Sequence, residues 1–108
     1  MNTFLEYPAL LIWHGDDELS FVSDLASLEA LCENVITEDD RLVDSQGVCW
    51  LNQDGGQHWQ PSGQIMPLEQ LVAHVQAHYA QLGQCCVGKI QFKDRAAAIK
   101  SVATVPEN

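Results

Sequence analysis

The stretch MPLEQLVAHVQAHYAQL, Met66 to Leu82, carries the strongest periodic signal in the chain. Leu68, Leu71, Val72, Val75, Tyr79 and Leu82 recur at helical spacing and line one face. Pro67 suits a first helical position, because its missing N–H costs nothing there, and Gly83 stands where a helix stop belongs. A helix with one apolar face needs something flat to cover, and the segments around it read as strands. The expectation is therefore an α+β fold, with this helix laid over a small sheet.

Downstream, Cys85 to Phe92 reads as a strand, with Cys86, Gly88, Ile90 and Phe92 on one face. Asp94 is placed to cap a last short helix, with Ala98, Ile99 and Val102 turned inward. Upstream, Gln53 to Ile65 has no periodicity and holds Gly55, Gly56, Pro61, Ser62 and Gly63, so it is expected to be an irregular loop. Before it, Arg41 to Asn52 is the clearest hairpin. Asp44-Ser45-Gln46-Gly47 puts Asp at the first turn position and Gly at the fourth. Val48 and Trp50 then share one face, and Cys49 and Leu51 the other.

Nearer the start, the apolar run Ala9 to Trp13 fits a central strand buried on both faces. His14-Gly15-Asp16-Asp17 supplies a turn, and Glu18 to Phe21 alternates as a half-exposed strand does. Ser23 is expected to cap a short helix from Asp24 to Glu33, with Leu25, Leu28 and Cys32 inward; Glu38-Asp39-Asp40 reads as a solvated loop. The elements run ββαββαβα, giving a single domain over residues 1–108 with its ordered core at about 9–102. The sheet is expected to be mixed or antiparallel, of about five strands, with the helices mostly on one face. If Cys85 to Phe92 pairs with Ala9 to Trp13, the latter is central.

The hairpin RLVDSQGVCWL, the helix LVAHVQAHYAQLG, and CCVGKI followed by AAAIK resemble a small bacterial family of unknown function, known mainly from marine gammaproteobacteria. The resemblance spans about Ala9 to Val102. It implies an α+β domain and a bacterial source, and brings no assigned activity, substrate or catalytic residue.

The formal charge of −10 is uneven. Residues 1–44 hold eleven acids against Arg41 alone, whereas residues 85–108 hold Lys89, Lys93, Arg95 and Lys100 against two acids. Such a balance repels phosphate, which argues against nucleic acid and anionic membranes as partners and leaves a basic protein partner open. No run approaches the roughly twenty apolar residues of a membrane span, and no basic leader precedes the first apolar run, so a cytoplasmic location is expected. Cys32, Cys49, Cys85 and Cys86 are then reduced, buried thiols. No cofactor is expected, and the oligomeric state is left open.

Four groups of residues carry candidate chemistry. His74 and His78 are four apart on the main helix, a spacing at which two imidazoles can share a metal, with His58, Cys85 and Cys86 as further ligand types. The stretch HVQAH lacks the glutamate of a zinc-protease motif, and two boundary histidines on a solvated flank is the favoured reading. His14 with Asp16 and Asp17 brings an imidazole near carboxylates, but ordinary turn chemistry explains it. The thiols form no Cys-x-x-Cys pair. Finally, His58 and Trp59 stand in the polar loop; the tryptophan either folds back onto the core, which is favoured, or remains a contact anchor. With no catalytic constellation, the sequence favours a non-enzymatic binding domain. The alternative is a small metal-binding protein or enzyme using His58, His74, His78 or the His14/Asp16 turn.

Overall fold

The structure is a computed structural model and describes residues 5–15, 17–84, 88 and 90–103. Two strands, β1 (Ala9–Ile12) and β2 (Leu19–Val22), precede helix α1 (Leu25–Leu31). Strands β3 (Arg41–Asp44) and β4 (Val48–Gln53) follow, then a single 3-10 turn at Asp54–Gly56 and strand β5 (His58–Ile65). Helices α2 (Leu68–Gln81) and α3 (Arg95–Val102) complete the chain. The five strands form one antiparallel sheet in the order β2-β1-β3-β4-β5, so the architecture is α+β.

Strand β1 lies inside the sheet because it pairs with β2 on one side and β3 on the other: Leu10 faces Phe21 and Val43, and Leu11 faces Ser20 and Leu42. Ala9, Leu10 and Leu11 are fully buried, which explains an apolar run without alternation. The pleat sends neighbours to opposite faces. Leu10, Leu19 and Val43 meet Leu71 and Val75 of α2 and Ala98 and Ile99 of α3. Ala9, Leu11, Val22, Leu42 and Trp50 meet Leu28 of α1 and Ile36 on the other side. Among the described residues two of the three helices, α2 and α3, thus share one face, as expected, and α1 covers the other.

Two elements differ from the sequence reading. The Gln53 to Ile65 segment is mostly strand β5, an edge strand paired only with β4. An edge tolerates Pro61, which has no N–H to donate, and Gly63. Most of its residues face solvent, so no alternation marks it. The expected strand Cys85 to Phe92 does not appear in the sheet. Cys85, Cys86, Val87 and Lys89 lie outside the described residues, and Ile90 to Phe92 belong to no strand. That end packs against the helices: Ile90 accepts a hydrogen bond from the Gln76 amide at 3.1 Å, and Phe92 joins the α2–α3 cluster. The order is accordingly ββαβββαα.

Smaller corrections follow from side-chain bonding. Asp24 rather than Ser23 caps α1, accepting from the Ser27 N–H at 2.9 Å, and Leu25 is 59% exposed instead of inward. Pro67 is the N-cap of α2, one place before its first turn. Asp40 is buried; its carboxylate accepts from the backbone N–H groups of His14 (2.7 Å) and Thr37 (2.8 Å). The Asp94 cap of α3 is as expected, accepting from Ala97 N–H at 2.8 Å. The turn between β3 and β4 needs its glycine. Gly47 has φ +85°, and a Cβ there would stand 2.5 Å from Arg95 Nε and 2.9 Å from the Met66 carbonyl. Among the described residues no helix is long and apolar enough to cross a membrane.

Candidate functional site

On the α1 face of the sheet, α1 and the β4–β5 turn leave a groove of about 490 Å³ between them. Trp59 forms one wall. It pairs with Asn52 across the β4–β5 ladder and packs on the cluster around Leu28 and Trp50, so it folds back onto the core as favoured. Its indole N–H is nevertheless buried without a hydrogen-bond partner among the described residues. The floor is Leu28, Cys32 and Gly56. The Cys32 thiol donates to the Gly56 carbonyl at 3.4 Å, and a Cβ on Gly56 would come within 2.9 Å of that sulfur. Burial pushes the Cys32 thiol pKa up; the neighbouring Trp59 side chain pulls it down, without reaching hydrogen-bonding geometry, and Glu29 adds to the rise. Glu29 and Glu33 edge the groove, with the exposed Leu25 beside them. Among the described residues neither carboxylate has a hydrogen bond or an ion pair.

On the opposite face, β3 and β4 floor a second cavity of about 380 Å³ beside α2. Val43, Cys49, Leu51 and Met66 supply apolar surface, and His14, Asp39, Arg41 and His74 supply polar groups. The Arg41 Nη1 donates to the carbonyls of Glu38 and Asp40, which fixes the guanidinium at the start of β3. Burial and then Asp44 push the Cys49 thiol pKa up; a backbone hydrogen bond at Met66 and the positive Arg41 pull it down.

The expected histidine sites are only partly assembled. His14 and His74 share this second cavity. His78 does not join them. It is buried, its Nδ1 accepts from the Leu19 N–H at 3.1 Å, and it meets Tyr79 edge-on with ring centroids 5.7 Å apart. Burial lowers its pKa, against the raising effects of the Glu18 charge and the Asp17 carbonyl. The i,i+4 pair is therefore divided, because His78 ties α2 to β2. His58 is exposed at the start of β5 with Nδ1 3.1 Å from Asp54 Oδ2, and lines neither cleft. Asp16, Cys85 and Cys86 lie outside the described residues. Among the described residues no three His, Cys, Asp or Glu side chains are grouped to hold a metal ion.

Sequence reasoning singled out Trp59, His14 and His74 and passed over Glu29, Glu33, Asp39 and Arg41. One signal for the last was present: Arg41 is the sole Lys or Arg in residues 1–84.

The fold has a solved counterpart. An NMR structure of a protein from Shewanella amazonensis, a gammaproteobacterium, is similar with a TM-score of 0.76 and 29% identity, over 95% of this chain and 91% of that one. No curated protein matches the chain. The family model DUF4144, described as a protein structure with unknown function, matches residues 7–102, and the chain belongs to that bacterial family.

Proposed function

We propose that this protein is a non-enzymatic, cytoplasmic interaction domain that docks a basic segment of a protein partner in the groove between α1 and Trp59. The carrying observation is the groove itself: an apolar floor and, among the described residues, an indole N–H with no hydrogen-bond partner and two carboxylates without an ion pair on the rim. Those carboxylates are placed against the fold's own interest. Glu29 stands in the last turn of α1 and Glu33 just beyond it, where the helix dipole favours cations. Acids kept there suit an external cation. Tryptophans at the centre of a desolvated pocket are frequent anchors of binding energy, and a guest carbonyl would satisfy the orphaned N–H. Opposite charge on the guest would speed encounter and fix its register.

Selection from a random peptide library tests this. The selected peptides should carry Lys or Arg beside an apolar residue. They should lose affinity for Glu29→Gln/Glu33→Gln protein and at high salt. Selected peptides without basic bias, or equal binding to the double variant, would refute it. Catalysis draws less support, because the thiol on the floor of the histidine-bearing cavity is pushed toward its protonated form, away from a nucleophile.

A further inference from the structure

The second cavity offers chemistry that peptide docking on the other face does not use. Among the described residues its two charged side chains, Asp39 and Arg41, are of opposite sign and only two residues apart, yet they form no ion pair with each other. Arg41 spends Nη1 on the carbonyls of Glu38 and Asp40 and meets no carboxylate among the described residues. Asp39 is exposed, and among the described residues its carboxylate has no hydrogen bond or ion pair. Between and below them lies apolar surface from Ile12, Val43, Cys49, Leu51 and Met66. The Gln70 amide and His74 imidazole stand on the α2 side and provide N–H donors.

Three features narrow the occupant. A volume of about 380 Å³ is near the small end of ligand clefts. A polyanion such as a nucleotide is disfavoured, since Arg41 is the lone Lys or Arg in residues 1–84 of a chain carrying −10. A guest with one charge would leave either Asp39 or Arg41 opposed by nothing or by a like charge, whereas a zwitterion answers both. The geometry points to a free apolar α-amino acid, with its carboxylate on Arg41, its ammonium on Asp39 and its side chain over the floor of β3 and β4.

The test is an amide NMR titration of the full chain with leucine and with phenylalanine, up to about 10 mM, a range that reads weak single-site binding. Saturable shifts are expected at Val43, Cys49, Leu51 and Gln64 and not at Trp59. N-acetyl-leucine, which lacks the ammonium, and leucine amide, which lacks the carboxylate, should each bind at least roughly tenfold more weakly. Asp39→Asn, at an exposed carboxylate without a hydrogen bond or ion pair among the described residues, should weaken leucine by a similar factor; Arg41→Lys should retain more affinity than Arg41→Gln. Absence of saturable shifts, shifts confined to the Trp59 groove, equal binding of either blocked leucine, or an unaltered Asp39→Asn protein would each overturn the assignment.

Discussion

The Asp44 carboxylate accepts four hydrogen bonds. Its Oδ1 takes the N–H groups of Gln46 and Val48 at 3.0 Å, and its Oδ2 takes the Trp50 indole N–H at 3.0 Å and the Glu6 N–H at 3.4 Å. The residue is 1% exposed and its bond to the Trp50 indole is buried, so losing that acceptor leaves a buried donor unpaired. Asp44→Ala should therefore lower unfolding free energy by about 3 kcal/mol, measured by urea denaturation. Because both oxygens are engaged, Asp44→Asn should cost nearly as much: an amide NH2 would face donors on one side. A near-neutral Asn variant would show that the bonds to one oxygen carry no net stability. The sequence identified Asp44 as the opening residue of a turn, since Asp there bonds the backbone two residues on. Its reach to Trp50 was not legible in the turn pattern, because it runs diagonally across the β3–β4 ladder, where Trp50 stands opposite Leu42. The thiols give a second residue-scale prediction. Burial raises the pKa of Cys32 and Cys49, so native protein at neutral pH should label at both far more slowly than urea-unfolded protein. Native rates matching unfolded ones would mean that the groove and cavity floors are open to reagent.

Elements were legible where burial is periodic. Helices α2 and α3 each bury one stripe and the pattern records it, while β1, buried on both faces, shows as an unbroken apolar run. Strand β5 buries almost none of its residues, so nothing in its pattern distinguishes a strand from a loop; its identity comes from the edge that β4 offers. The sequence alternation that suggested a strand over Cys85 to Phe92 reflects, at Ile90 and Phe92, partial burial supplied by packing near α2 and not by a ladder. The tie between α2 and β2 runs through His78, which must be neutral at Nδ1 to accept the Leu19 N–H. Its folded pKa lies below the ordinary 6.5, so as pH falls the unfolded chain takes up the proton first. Stability contributed by neutral His78 is thus complete above about pH 6.5 and is lost as pH falls from there through the folded pKa. Urea midpoints measured from about pH 7.5 down to about pH 5 should decline, and the decline should be shallower in His78→Gln. An identical slope in that variant would exclude His78 as the coupled group.

For the whole molecule, composition revealed acidity but not clefts. The groove joins residues 25–33 to 56–59, and the cavity joins residues 12–15, 39–51, 62–66 and 70–74, so each exists only once distant segments have assembled on its own face of the sheet. What charge does to the fold can still be separated from what it does for binding. A net charge of −10 repels itself, and salt shortens the range of that repulsion from about 10 Å at 0.1 M to about 3 Å at 1 M. Sodium chloride should therefore raise the thermal midpoint. Glu29→Gln/Glu33→Gln removes two of those charges from the unfavourable end of α1, so the variant should be more stable than its parent by about 1 kcal/mol at low salt, with the gain fading as salt rises. The same variant is expected to lose its basic peptides. Higher stability with weaker binding is the signature of acids retained for a partner at the fold's expense. If the variant is instead less stable at low salt, Glu29 and Glu33 support α1 themselves, and the acidic rim no longer argues for a basic guest.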